Sequence, residues 1–588
     1  MLEHNSGRQS FPIETHEVDV CVVGGGMAGL CAAVAAARHG ARTVLMQDRP
    51  VLGGNASSET RVHVCGADRH NQVKNMRETG ILEELRLENL YRNHQRSFSV
   101  WDTVLYETAM LQPGLTLLLN CSCLDAAMDG PRIESVTGWQ LTTQTLHRVS
   151  AGMFIDCSGD AILAPLTGAA WRMGREAGRE YGESLAPETP DERTMGMTCL
   201  FQTRRHDSPQ PFEPPSWAYT FDESDLPYGA RGHGWWEMGY WWIELGGEEH
   251  TIRDTERIKH ELLRTAYGVW DHIKNGGDHG AENWALEWIQ FIPGKRESRR
   301  YIGEHVMTQH DIESGGRFED TVAYGGWTMD DHPPAGFRGA KLGHPAAVMT
   351  QCRSPYGIAY RSLYSRNVPN LLFAGRCASC THVAMSSTRV MGTGSSMGQA
   401  AGTAAALAAK LGVEPSGLLD HMSVLQQALL ADDCYVPGLV REFSDLTRTA
   451  DLTASQGDPE PVRDGVSRPV AGDPHSWTCR VGDHVEYSFD GPRRLREVAL
   501  VLDSALEKNV QMSYHQRDDQ LTAPPSELPR ALRVEALRSG EWRTCADVAH
   551  NRQRLVRVPV DIEAESVRLS IDGTWGDDET RVFSFSVE

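Results

Sequence analysis

The run of apolar and polar positions divides the chain into distinct textures. From Val18 to Val23 apolar residues alternate with polar ones and then run together, as in a strand whose far end is buried. Glycines at 24–29 break the run, Leu30–Arg38 is an alanine-rich helix, and Thr43–Met46 is a second short strand, which predicts a β-turn-α-β unit. From about Trp217 to Ile292 the pattern becomes aromatic and polar, with helical spacing over Ile258–Lys274, and reads as an inserted domain. A strand over Asn370–Ala374 and an alanine-rich helix over Met397–Leu411 restore the first texture, so the first fold is expected to be completed far downstream. After Asp445 the helical signal fades. TASQGDPEPVRDG reads as a linker, and HVEYSF, EVALVL, VRVPV and SVRLSI as strands of a small, separable β-sandwich.

The glycine break carries the first chemistry. Gly24, Gly26 and Gly29 follow a strand and open a helix, the context in which such glycines bind a dinucleotide. Gly24 allows the tight turn, Gly26 lets the backbone reach a pyrophosphate at the helix N-terminus, and Gly29 permits close helix-to-strand packing. Asp48 ends the second strand about 20 residues on, where its carboxylate can bond a ribose hydroxyl. NAD and FAD share this arrangement, and three further blocks favour FAD. Arg49 and the stretch Gly53, Gly54, Asn55, Ala56 and Ser57 follow the ribose acid, where a glycine pair approaches a flavin. Ser158, Gly159 and Asp160 lie in MFIDCSGDA, a strand and turn returning to the dinucleotide, and Gly375 and Arg376 open the downstream segment. Gly398, Gln399 and Ala400 belong to the helix whose N-terminus is expected to face the flavin.

Composition narrows the class. A formal net charge of −22 without a dense Lys/Arg cluster excludes a nucleic-acid partner, because phosphate neutralisation needs a basic stripe. The 13 cysteines follow no framework spacing, and Cys377 to Cys380, a lone CxxC, has no second pair at a zinc distance, so no metal site is expected. The polar N-terminus lacks the order of a secretory signal, and no stretch suits a membrane span, which together predict a cytoplasmic protein with reduced thiols.

QDRPVLGGNASSE, GVWDHIKN, PGKRESRR, YGIAYRSLY and AGRCASCTHVAMSSTRVMGTGSSMGQAAGTAAA together resemble the bacterial FAD-dependent oxidoreductase family often linked to polysaccharide degradation, whose nucleotide fold is similar to that of fumarate reductase and succinate dehydrogenase flavoproteins. The resemblance implies FAD and a cap domain between the nucleotide-binding segments. The expected fold is therefore α/β, a split Rossmann-like FAD-binding domain (15–165 and 369–445) with an inserted α+β cap (166–368), a linker (446–470) and a C-terminal β-sandwich (471–588). Covalently flavinylated relatives carry a histidine just before the glycine pair. Here His63 lies after it, so the FAD is expected to be non-covalent. DGVSRP and EYSFDGPRRLREVALVLDS give the tail a resemblance to discoidin-like carbohydrate-binding modules.

Oxidising an alcohol on a flavin requires hydride transfer to N5 and a base within reach of the hydroxyl. His332 leads for the base, in a loop with Asp330, Asp331, Pro333 and Pro334. His382 and His63 are alternatives, and Arg389 can fix an oxygen of substrate or flavin. Arg296, Arg299 and Arg300 offer forked donors for a polyol or carboxylate, or form an ion-pair cluster with Glu297. Trp235, Trp236, Trp241 and Trp242 suit either sugar stacking or core packing. The expected reaction is oxidation of a secondary alcohol of a carbohydrate-like small molecule or oligosaccharide to a ketone. The alternative is dehydrogenation or reduction at a carbon–carbon bond. The electron acceptor and the oligomeric state stay open.

Overall fold

The computed structural model describes residues 10–226, 233–234, 236–277, 279–513 and 519–588. Trp235 therefore lies outside the described residues. The first strand, β1 (Ile13–Val23), is longer than its apolar pattern, and only Val20–Val23 are fully buried. Its exposed half exists because it pairs with a distant strand, from Ile13 opposite Leu146 to Val23 opposite Asp156. Helix α1 (Met27–Arg38) and β2 (Thr43–Met46) follow as expected. β3 (Leu115–Leu118), β4 (Cys121–Asp129), β5 (Arg132–Gln140) and β6 (Thr145–Asp156) complete the first pass. The sheet runs β3-β2-β1-β6, all parallel, with β5 and β4 antiparallel beyond β6. The carboxyl ends of β1, β2 and β6 lie in register at Val23, Met46 and Asp156, the edge at which open parallel sheets bind ligands.

The inserted stretch is built from short antiparallel pairs around one long helix, α2 (Thr255–Asn275). Ile258, Leu262, Ala266, Val269, Trp270 and Ile273 recur at helical spacing and form the buried face of α2 against Phe201, Tyr240, Trp242 and Ile243. A later hairpin contributes β7 (Met329–Asp331). The chain then rejoins the first sheet through β8 (Leu371–Phe373), parallel to the far half of β6. Helices α3 (His382–Thr388) and α4 (Met391–Leu411) follow. α4 begins six residues before the expected Met397, since its first turns are Gly, Thr and Ser, weak helix formers that hide the start. A Cβ on Gly398 or Gly402 would stand 2.0 Å from Ala28 O or Ala32 O, so α1 and α4 touch backbone to backbone.

The C-terminal part is one antiparallel sheet: β9 (Asp451–Ala454), β10 (Trp477–Arg480), β11 (His484–Leu502), β12 (Pro529–Arg538), β13 (Glu541–Val548), β14 (Leu555–Thr574) and β15 (Glu579–Val587). HVEYSF and EVALVL are two halves of β11, and VRVPV and SVRLSI two halves of β14; register shifts between Ser488 and Arg493 bend the pair. The stretch expected as a linker contributes β9, which pairs with β11, and Arg468 is buried against the preceding part of the chain, donating to Thr79 Oγ1 at 2.7 Å and to the carbonyls of Asn75 and Arg77. Nor is the sheet loosely attached. Arg77 reaches the carbonyls of Ser504, Ala505 and Lys508, and Arg554 pairs with Asp433 at 2.7 Å with both side chains 2% exposed. Among the described residues no helix is long and apolar enough to cross a membrane.

Candidate functional site

A cavity of about 930 Å³ opens at the carboxyl ends of β1, β2 and β6 and runs under the inserted stretch. Gly24 lines its floor with φ +100°, and a Cβ there would stand 2.5 Å from the backbone of Cys157 and Ser158. Gly29 lies behind the lining, where a Cβ would stand 1.7 Å from Gly24 O. Both glycines are demanded by the fold itself. Gly26 is different: its φ of −63° suits any residue, and a Cβ would meet nothing nearer than Gly54 Cα at 4.0 Å. The protein leaves room there, facing the cavity beside the N-terminus of α1, whose outward N–H groups suit an anion.

Asp48 is exposed on the wall two residues past β2, and Arg49, Gly53, Gly54 and Asn55 continue the lining. Ala56 and Ser57, expected beside the cofactor, turn away: Ala56 O accepts from Trp101 Nε1 at 3.1 Å, and Ser57 Oγ donates to Gly54 O at 2.7 Å. They shape the loop that presents the glycine pair. Past β6, Asp156 accepts from Tyr301 Oη, Leu163 N and Ser158 N, which fixes the turn through Ser158, Gly159 and Asp160 on the wall. Asp160 is held by Lys295 at 2.6 Å, Ser298 at 2.8 Å and Arg376 at 3.0 Å. Burial opposes its charge, but Arg376 and Lys295 outweigh that and hold its carboxyl far below the usual carboxylate range. Gly375, Met391 and Gly394 close this end, so the first turn of α4 faces the cavity. Gly398, Gln399 and Ala400 do not, since they lie two turns further along: Gly398 packs on α1, Gln399 Oε1 accepts from Ile81 N at 2.9 Å, and Ala400 is wholly buried.

The inserted stretch supplies the other wall. His332 lines it, buried, with Nδ1 at 2.6 Å from Glu244 Oε2 and Nε2 at 3.5 Å from Asp330 Oδ2. Sequence reading expected Asp330 and Asp331 to orient this ring, whereas Glu244 is its close partner; the only local trace of that role is one acid inside the apolar run around Trp242 and Ile243. Glu244 also accepts from Gly196 N at 2.7 Å and lies 3.2 Å from Arg296 Nη1. Burial raises its pKa, but Arg296 and His332 reverse the shift and keep it ionised. Arg296 spans Thr198 Oγ1 at 2.5 Å and Trp241 O at 2.9 Å, and Arg389 donates to Asp330 O at 3.1 Å and Oδ2 at 3.3 Å. Both line the cavity, as does Trp241, whose ring centroid is 5.8 Å from that of His332.

Other expected residues are placed elsewhere. His382 is not in the lining; its ring is clamped between Glu297 at 2.8 Å and Asp331 at 3.1 Å. Desolvation lowers its pKa, yet the two carboxylates more than compensate and raise it to about 10, so at neutral pH it is a cation and not a base. Arg299 stacks on Trp171, and Arg300 is buried between Glu176 and Glu297, so of the three arginines only Arg296 reaches the cavity. Trp242 belongs to the core, and Trp236 packs on Trp284. His63 does line the cavity, in a group with Cys65 and His70 that the sequence reading did not assemble, the rings of His63 and His70 lying 4.9 Å apart. All 13 cysteines are free thiols, and burial pushes Cys380 up to about 12.

The arrangement can hold an extended ligand with an anionic middle over α1, a diol at Asp48, and a planar end between the glycine pair and the first turn of α4, against a wall bearing a carboxylate-oriented histidine and two arginines. FAD meets these demands, and Gly26, which only an occupant of the cavity requires, is the observation that tests the fit. Solved structures that the chain resembles include the family 32 carbohydrate-binding module from Streptococcus pneumoniae EndoD, at 14% identity over 25% of this chain and 99% of that one with a TM-score of 0.20, and the family 32 module from C. perfringens NanJ in complex with galactose, at 11% identity over 24% and 96% with a TM-score of 0.18. Likenesses this slight say nothing about what the chain binds. No curated protein matches it. A family described as FAD dependent oxidoreductase matches residues 19–429, well over half the chain, and the protein belongs to that family.

Proposed function

We propose that the protein oxidises a secondary alcohol of a carbohydrate-like substrate to the ketone, using non-covalently held FAD, with residues 166–368 acting as a cap over the reacting end and the whole working in the cytoplasm, where its free cysteines stay reduced. The carrying observation is the Glu244–His332 pair on the wall of the FAD cavity. Nδ1 of His332 is held by Glu244 at 2.6 Å and Nε2 lies 3.5 Å from Asp330; with the ring neutral, Nε2 is the atom that would take the hydroxyl proton, and the two carboxylates would balance the imidazolium that forms. Bound FAD would supply the two-electron acceptor for the hydride that leaves the carbinol carbon. Gly26 and the N-terminus of α1 would seat the pyrophosphate, Asp48 the ribose, and the turn at Gly53 and Gly54 the planar end. Arg296 and Arg389 would hold substrate oxygens, and the partly exposed ring of Trp241 offers an apolar face on a wall that also bears Thr198, Gln202 and Gln290, which suits a sugar.

The same two arginines support a second reading, dehydrogenation or reduction at a carbon–carbon bond of a carboxylate. Anaerobic mixing with a sugar panel and, separately, a dicarboxylate and enone panel separates the two by which panel bleaches the flavin. In His332→Ala the yellow colour persists while bleaching slows by about 10²- to 10⁴-fold, the usual contribution of a positioned base. Glu244→Gln slows it less and shifts its pH dependence. Bleaching of His332→Ala at the wild-type rate would overturn the assignment.

A further inference from the structure

On the inserted stretch, about 24 Å along α2 from the cavity-lining Glu256 by helix rise, three histidines converge on one carboxylate. Nε2 of His272, His233 and His279 stand 3.2, 3.3 and 3.7 Å from the same atom, Glu223 Oε2. The four ligand atoms all lie within 4.8 Å of one another. The rings are 4.8 to 5.3 Å apart by centroid and steeply inclined, so they meet at their edges instead of stacking. We propose that Glu223, His233, His272 and His279 form a site for a divalent transition-metal ion of the zinc class.

Hydrogen bonding alone accounts poorly for this group. Nδ1 of His272 lies 3.2 Å from Phe221 O, a carbonyl that can only accept, so Nδ1 carries the proton. In the neutral ring Nε2 then turns a lone pair toward a carboxylate oxygen, acceptor against acceptor. Without an ion, His272 would have to be an imidazolium, and it, His233 and His279 would all have to donate Nε2–H to one oxygen atom at 3.2 to 3.7 Å, with two of the histidine side chains only 2% exposed. A cation at the centre satisfies every lone pair. A tetrahedron with ligands at about 2.0–2.1 Å has edges of about 3.3 Å, close to the oxygen-to-nitrogen separations found here. The Phe221 carbonyl is then the outer partner that fixes the ring of a ligating histidine. Imidazoles with one carboxylate in a tetrahedron suit zinc and its first-row neighbours, and four protein ligands make the site structural and not catalytic. Glu223, 62% exposed, gives the ion a way in. The ion would tie Glu223, His233 and His279 to the last turn of α2, and thereby brace the wall that carries Met238, Gly239 and Trp241. The site does not depend on the reaction proposed above.

The test uses the full FAD-loaded chain, stripped with a chelator and titrated with Zn²⁺, and with Co²⁺ as a spectroscopic probe. Wild type is expected to bind one equivalent, to show the intense ligand-field bands of tetrahedral Co²⁺, and to melt at higher temperature with Zn²⁺. His279→Ala and the exposed Glu223→Ala, both checked for folding by retained flavin absorbance, should lose affinity by at least about 100-fold, beyond the 10- to 100-fold typical of an outer partner. A His63→Ala/His70→Ala double variant should keep the tetrahedral spectrum, since it alters the separate cavity group. The proposal falls if wild type takes up no equivalent and its melting ignores Zn²⁺, if Glu223→Ala and His279→Ala both bind like wild type, or if only the His63→Ala/His70→Ala variant loses the metal.

Discussion

Gly26→Ala separates what the fold needs from what the cofactor needs. In the protein alone the new methyl meets nothing closer than 4.0 Å, and the φ of −63° is ordinary for alanine. Two small effects oppose each other: alanine narrows the unfolded ensemble, worth about 0.4–1 kcal/mol, and is a poorer helix N-cap than glycine by a similar amount. The cofactor-free variant should therefore stay within about 1 kcal/mol of wild type. FAD seated as proposed would meet the methyl directly. Overpacking a close contact typically costs about 1–3 kcal/mol, or about 5- to 150-fold in affinity, and Gly26→Val, with two more carbons, should leave folded but colourless protein. Gly29→Ala supplies the contrast, because its Cβ would stand 1.7 Å from Gly24 O and the turn must move. Denaturant unfolding of stripped protein and FAD titration by fluorescence quenching measure the two effects independently. If Gly26→Ala binds FAD as tightly as wild type, the pyrophosphate does not approach this backbone and the placement of the cofactor is wrong.

Two further outcomes follow from buried charges. The native pKa of His382, raised from 6.5 to about 10, means that the folded state binds this proton more tightly than the unfolded chain; the stabilisation is complete below pH 6.5 and is lost as pH rises toward about 10. Denaturant midpoints of wild type should fall across that window, and His382→Asn should flatten this component of the fall. Arg554→Met strands Asp433 at the junction with the C-terminal sheet and should cost about 3 kcal/mol, the low end for a broken buried pair, because burial already pushes the Asp433 carboxyl upward and lets it take a proton. Urea unfolding checks it, and a loss under about 1 kcal/mol would show that the junction contributes little.

Sequence alone carried the parts whose physics is local. A strand, a glycine turn and an alanine-rich helix announce themselves within about 30 residues, because backbone conformation and side-chain period are decided by near neighbours, and so the unit carrying Gly24, Gly26, Gly29 and Asp48 was legible, with Gly24, Gly26 and Asp48 now on the cavity wall. Tertiary structure decided which side chains face that site. His332 and His382 look alike as loop histidines, yet one shares the cavity with Glu244, 88 residues away in sequence, while the other is locked between Glu297 and Asp331. The linker was misread because β9 takes its order from a partner strand, not from its own composition. The histidines at 233, 272 and 279 fit no metal-binding spacing, and only the fold sets their three Nε2 atoms around a single oxygen.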